Sequence, residues 1–320
     1  MLIAWFCSIL VIASEPASQR IAGRAAQFSP EIAAEAQVLD DVVRWLRCPT
    51  CRSHLTRAGG SLRCDGGHNF DIARQGYVSL LQAGTPGGGD TAAMVRARQA
   101  FLAAGHFAAV AAMLAKAAAA AAAGERPGCP KSVVDVGAGT GYYLAATLEL
   151  VPGAVGLALD VSKHALRRAA RAHPRIGAVG CDAWHRLPVA QGAADVILNV
   201  FAPRRGAELR RILAPVGSLL VMTPAREHLI ELTGPLGLLS VDERKSQRLE
   251  DNLGPYFSLA GESEHRGVMA LGRDEVAAVA AMGPTAWHAG QDAMRERIAG
   301  LPDPMPVTRA VTLRVLRPRP

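Results

Sequence analysis

Four residues near the start of the chain, Cys48, Cys51, Cys64 and His68, have the types and spacing of a metal site. They read Cys-Pro-Thr-Cys, twelve residues, then Cys, three residues and His. Zn²⁺ favours thiolate and imidazole ligands in a tetrahedron, and a CxxC turn delivers two sulfurs to one ion. Four protein ligands close the coordination shell, so the expected zinc is structural. The competing reading, incidental thiols in a core, requires four fitting ligands to coincide.

A second set lies further along. The apolar run Val133-Val134-Asp135-Val136 enters the turn Gly137-Ala138-Gly139-Thr140-Gly141. Glycines there let the backbone approach a ligand and bare the N–H groups of the next helix. Asp160 ends the next predicted strand, where a carboxylate takes both hydroxyls of a ribose. Asp182 follows the third, placed to accept from an adenine amino group. Dinucleotide enzymes share the turn and the ribose acid. The acid Asp135 ahead of the first glycine instead points to S-adenosylmethionine, whose amino-acid end the acid and the turn would hold. Asn199, at the end of the fourth strand, has a carboxamide suited to a base edge, or simply turns the strand into its loop. His228, after the fifth, reads as a surface histidine or as a contact to cofactor or substrate.

These residues need a frame. Strands are expected at 132–136, 154–160, 176–180, 194–200 and 217–223, with helices at 142–150, 162–172 and 207–213 between them. A strand at 262–271, a helix at 274–281 and a strand at 307–316 close the chain. Alternating strand and helix predict an α/β, doubly wound, Rossmann-like sheet. Residues 91–123 read as helix with a break at Gly105-His106, and an alanine run of high helix propensity follows. Short strands at 61–64 and 69–72 surround the metal ligands; a metal must replace the core so small a unit lacks. The expected organisation is an extension over 1–43, a zinc-binding RNA-recognition module over 44–85, a helical linker over 86–124 and a catalytic domain over 125–320.

The 320 residues suffice for one large or two ordinary domains, and half of them are apolar. The formal charge of +7 and an isoelectric point near 9.4 fit either solvated basic faces or a polyanionic partner. Arginine blocks at Arg167-Arg168, Arg204-Arg205, Arg210-Arg211 and the tail Arg314, Arg317 and Arg319, beside a zinc module, favour RNA. Three of the six cysteines serve the metal, and the scattered Cys7, Cys129 and Cys181 suggest reduced thiols and a cytoplasmic protein. Residues 1–13 are nearly all apolar but lack a preceding positive charge and fall short of the roughly 20 residues of a membrane span. The extension reads as poorly ordered, or as sequence from a start site placed too early; a cleaved export signal is the alternative.

The chain resembles the 23S rRNA (guanine-N1)-methyltransferases from about Arg44 to its end. The likeness rests on Cys48-Pro-Thr-Cys51, on Cys64-x3-His68-Asn-Phe-Asp71 through Leu81, on Asp90-x3-Met94 through Gly105-His106-Phe107, and on Asp135–Tyr143. It continues at Leu159-Asp160, His185-Arg186-Leu187-Pro188, Phe201-Ala-Pro203, Thr223-Pro224 and His228-Leu229-x-Glu231. Asn199-Val-Phe201-Ala-Pro203-Arg204 and the stretch 168–175 look most like the branch linked to macrolide resistance, including tylosin resistance. The resemblance implies a class I S-adenosylmethionine-dependent fold and methylation of guanine N1 in a 23S rRNA hairpin near the peptide exit tunnel. It places cofactor contacts on Phe107, Thr140, Gly141 and His228, and favours a homodimer. Of the residues at hand, Asn199 would orient the guanine edge, and His185 or a water would take the N1 proton. The rival functions are a small-molecule methyltransferase with the zinc module as a lid, and a non-catalytic zinc and RNA-binding protein.

Overall fold

The computed structural model describes residues 38–82, 89–123, 131–238, 245–283 and 291–320. The expected extension lies outside these residues up to position 37. Residues 38–43 are helical, and Val38, Leu39 and Val42 are buried, so packed chain is present before Arg44.

Strands β1 (Leu55–Ala58), β2 (Ser61–Cys64) and β3 (Asn69–Asp71) form a small antiparallel sheet around the metal ligands. It has too few apolar residues for a core of its own. Leu55 and Leu62 instead join Val134, Leu157 and Ile197 in one buried cluster beneath the large sheet.

The large sheet comprises β4 (Tyr77–Ser79), β5 (Ser132–Val136), β6 (Val155–Asp160), β7 (Ile176–Gly180), β8 (Ala194–Val200), β9 (Leu213–Pro224), β10 (Phe257–Leu271) and β11 (Met305–Pro318). Their order is β10-β11-β9-β8-β5-β6-β7-β4. Strand β11 runs antiparallel to both its neighbours, and the pairs from β9 to β4 are parallel. This is the expected doubly wound α/β sheet, with one reversed strand near its end. Strand β8 is buried at every position because both its faces are covered, which is why it reads as a continuous apolar run. Successive residues serve opposite faces. Val133, Leu198 and Leu220 pack into one cluster, and Val134, Ile197 and Leu219 into the other.

Strand β4 lies within the stretch read as the zinc module, yet it pairs in parallel with β7, Tyr77 opposite Ala178. Three residues carry no periodicity, so nothing in their pattern announced this.

The helices are α1 (Ala92–Ala103), α2 (Ala108–Ala122), α3 (Tyr142–Leu150), α4 (Lys163–Ala169), α5 (Gly206–Ile212), α6 (Ile230–Leu236), α7 (Lys245–Leu253), α8 (Arg273–Met282) and α9 (Gln291–Ala299). Thr91 caps α1 by accepting from Met94 N–H at 3.3 Å, and Ser162 caps α4 by accepting from Ala165 N–H at 3.3 Å. The expected break between α1 and α2 is a bend of 86° at a turn where Gly105 has φ +85°. No single described helix is long and apolar enough to cross a membrane.

Candidate functional site

The two cysteine turns bring the zinc ligands together. The first closes by Arg52 N–H donating to Cys48 O at 3.0 Å, with Arg52 at φ +68°; the second by Gly67 N–H donating to Cys64 O at 3.0 Å. Cys51 Sγ lies 3.5 Å from Cys64 Sγ, and His68 Nδ1 lies 3.6 Å from Cys48 Sγ and 3.3 Å from Cys64 Sγ. All four ligand atoms fall within 4.8 Å of one another. A tetrahedron with Zn–S bonds of roughly 2.3 Å has S···S edges of about 3.8 Å, so one zinc ion fits. The Ser53 hydroxyl, 3.0 Å from Cys51 Sγ, helps bring that thiol down to about 6, towards the thiolate a metal requires.

At the carboxyl ends of the parallel strands a cavity of about 580 Å³ opens, within the range of small-molecule sites. The glycine turn lines it with Asp135, Asp160 and Asp182, joined by Phe107 and His228. Gly137 and Ala138 donate to Leu159 O at 2.9 and 3.0 Å, folding the turn onto the end of β6. Asp160 then holds two loops at once: its Oδ2 accepts from Gly139 N–H and its Oδ1 from Ser162 N–H, both at 2.8 Å. Burial lifts the Asp160 carboxyl above the usual range despite these donors. Asp135 is 1% exposed, and its Oδ1 has no hydrogen-bond partner. Burial, with Asp160 nearby, pushes its pKa up to about 8.

The remaining expected residues divide. Thr140 lines the cavity. Gly141 does not: it begins α3 at φ +79°, and a β-carbon there would lie 3.0 Å from Ala169 Cα, so this glycine serves helix packing. Asp182 accepts from Trp184 N–H at 2.8 Å and pairs through Oδ2 with His185 Nδ1 at 2.9 Å. His185 stands outside the lining, with its side chain 68% exposed. His228 accepts from Ala310 N–H through Nδ1 at 3.2 Å, which orients its ring. Asn199 is fully buried and absent from the lining, and its amide donates to Val136 O at 3.2 Å and Pro203 O at 3.0 Å. That geometry makes its amide nitrogen a tie between β5 and the loop after β8, the plainer of its two readings, while its Oδ1 is buried without a hydrogen-bond partner.

Other residues complete the cavity. Arg98 on α1 pairs with Asp90 and lies against Gly139. Tyr143, Phe201 and Trp184 add three aromatic rings. The signal for Arg98 was its place in the Asp90-x3-Met94-x3-Arg98 pattern. The turn bearing Phe107 is held by His106 Nε2, 2.6 Å from Glu275 Oε1 on α8. Several arginines in the basic blocks serve structure instead. Arg211 engages Glu208, Leu187 O and Val189 O, and Arg317 and Arg319 donate to backbone carbonyls.

Residues 46–84 match the RlmA N-terminal zinc-ribbon family, and residues 133–220 a methyltransferase domain family. The chain is 49% identical over 280 residues to the 23S rRNA (guanine(748)-N(1))-methyltransferase of Streptomyces fradiae, covering 88% of this chain and 99% of that protein. The chain belongs to the 23S rRNA (guanine-N1)-methyltransferase family. A Micromonospora griseorubida protein assigned the same activity is 53% identical over 291 residues, covering 87% of this chain and 99% of that one. One from Bacillus subtilis is 30% identical over 194 residues, 58% of this chain and 66% of that protein.

Membership in this methyltransferase family makes S-adenosylmethionine the cofactor, and the cavity fits it. An unpartnered buried carboxyl oxygen suits a cationic amino-acid end, and two further acids line the same cavity. Asp160→Ala is expected to weaken S-adenosylmethionine by about 1–3 kcal/mol, because it removes an acceptor and frees Gly139 and Ser162. Unchanged calorimetric affinity would refute the role.

A pH dependence follows from Asp135. Burial keeps its proton on up to about pH 8 in the protein alone. A bound ammonium favours the carboxylate, so binding below that pH releases a proton. Affinity should therefore rise as pH increases towards about 8 and fall above it, where the ligand's own amine, ordinarily near 8, loses its proton; Asp135→Asn should flatten the acid limb. The sign for folding is opposite: the ligand-free protein loses stability as pH rises through this range. Calorimetry in buffers of different ionisation enthalpy measures the released proton; none released at pH 7 would exclude the mechanism.

Proposed function

We propose that this protein methylates N1 of a guanine in a 23S rRNA hairpin beside the peptide exit tunnel, at the position named for the Streptomyces fradiae relative, guanine 748. The observation that carries this reading is the bolting of the zinc ribbon to the cavity's rim. Arg47 N–H donates to Pro188 O at 2.9 Å, Ala190 N–H donates to Trp45 O at 2.7 Å, and Leu46 bridges Val189. The loop so held also carries Asp182 and Trp184, which line the cavity. A hinged lid over a small metabolite has no use for this fixed attachment. A rigid second wall suits a large, shaped substrate such as RNA.

S-adenosylmethionine supplies an activated methyl group when bound. We assign Asp135 to its amino end, Asp160 to its ribose and Asp182 to its adenine. Guanine N1 is the pairing edge and carries a proton at neutral pH, so the base must leave its helix and lose that proton. With His185 Nδ1 donating to Asp182, Nε2 is left as an acceptor, and this exposed histidine is the candidate to pass the proton to solvent. Arg186 and Arg205, exposed at the same rim, and Arg44, Arg63 and Arg74 on the ribbon side would meet phosphates. A homodimer would lengthen this basic surface.

The test is incubation with labelled S-adenosylmethionine and an unmodified hairpin, followed by primer extension. Synthesis should halt at one guanine, and guanine-to-adenine substitution there should remove both label and stop. RNA binding should fall by roughly one log unit per log unit of salt for each phosphate neutralised. An unlabelled hairpin together with a labelled small metabolite would establish the small-molecule reading instead. In cells, loss of the protein should increase macrolide sensitivity.

A further inference from the structure

Phe201 is the first residue after β8, at the carboxyl edge of the sheet and on the cavity wall. Its backbone is left-handed, φ +52°, where a β-carbon crowds the following carbonyl. Its side chain is nonetheless 41% exposed. Three neighbours hold the ring: His228 stacks at 6.1 Å and 18°, and Phe107 and Tyr143 meet it edge-on, each at 6.4 Å. A left-handed backbone at a large aromatic residue, kept at the wall of a ligand cavity, points to function. Among the large exposed apolar side chains of the described residues, only Phe201 and Trp184 also line the cavity. Trp184 lies beside Asp182, on the adenine side.

We propose that Phe201 is the platform on which the target guanine stacks after leaving the RNA helix, an inference that rests on the guanine-N1 reading above. An extruded purine loses its stacked neighbours and regains a flat apolar partner on an aromatic face. A ring fixed by His228, Phe107 and Tyr143 offers that face without a further loss of rotamer freedom. It holds the base at the carboxyl end of β8, on the same wall as Asp135. The platform fixes the plane of the base and leaves its pairing edge free for reaction.

The test compares two hairpin RNAs, one with the target guanine and one abasic at that nucleotide. Phe201→Leu should weaken binding of the guanine hairpin by roughly 10- to 100-fold and leave the abasic hairpin unchanged. Phe201→Tyr, which keeps the aromatic face, should restore guanine binding. Phe201→Gly relieves the left-handed backbone while deleting the ring, so it should fold and show the same selective loss. Equal weakening of both hairpins, or no weakening of either, overturns the platform. Wild-type protein that methylates no guanine in the hairpin would instead overturn the reading on which it rests.

Discussion

Cys51→Ser is expected to release the zinc and abolish methylation of RNA, while S-adenosylmethionine still binds. The ribbon strands bury only a few apolar residues, whereas a structural zinc contributes roughly 10–16 kcal/mol of apparent binding free energy in comparable small units. Without the metal, nothing of that size holds the two cysteine turns together. The parallel strands β5 to β9 should remain folded: the cluster on one face holds no buried residue of the metal site or of β1 to β3, and the one on the other face, to which Cys48, Leu55, Leu62 and Cys64 contribute, keeps its members from the sheet and its helices. Metal analysis should find one zinc per wild-type chain and none in the variant. Zinc-free wild-type protein, or a variant that methylates at the wild-type rate, would refute the role.

Gly137→Ala should be nearly as damaging, through the other site. The residue sits at φ +80°, and an added β-carbon would lie 2.4 Å from Ala202 Cβ, on the loop after β8. Left-handed strain costs about 1–2 kcal/mol and overpacking about 1–3 kcal/mol, so the two loops must separate. They form neighbouring walls of the cavity, and the turn also places Asp135. The expected result is loss of measurable S-adenosylmethionine binding, with the melting temperature lowered by several degrees. Gly153, with φ +73° but open space where a β-carbon would stand, is the control: its alanine variant suffers the strain without the collision. Wild-type affinity in Gly137→Ala would show that the turn's close approach to its neighbour is dispensable.

The difference between these glycines illustrates what a sequence can and cannot carry. Asp-x-Gly-x-Gly-x-Gly after an apolar run names a cofactor turn, because few backbones need left-handed residues at that spacing. The separate duties of the glycines are invisible there: Gly137 faces Ala202, and Gly141 faces Ala169. The same holds for the acids. Place ahead of the glycine turn or after a strand made Asp135, Asp160 and Asp182 candidates, and all three line the cavity. Only the folded chain shows that Asp135 Oδ1 is buried without a partner while Asp160 already ties two loops.

Asn199 marks the limit most clearly. At the end of a strand, its carboxamide suits a ligand and a loop equally well, and the pattern around it cannot decide. Only the folded chain shows its amide nitrogen tied to Val136 O and Pro203 O and its Oδ1 buried without a partner. Arginine blocks pointed to RNA, as the relatives bear out, but not to individual roles: local charge density does not show which guanidinium is already held by backbone carbonyls, as those of Arg211 and Arg319 are.

By itself the sequence determined the zinc ligands, the parallel strands and the cofactor turn, because each depends on residue type at short, fixed spacing. Tertiary structure alone decided that β4 joins the main sheet, that the ribbon is fastened to the cavity's rim, and that Phe201 stands exposed among Phe107, Tyr143 and His228. Those features join residues tens to more than a hundred positions apart. Their energies arise from packing and hydrogen bonding between separate elements, and no local pattern in the chain encodes them.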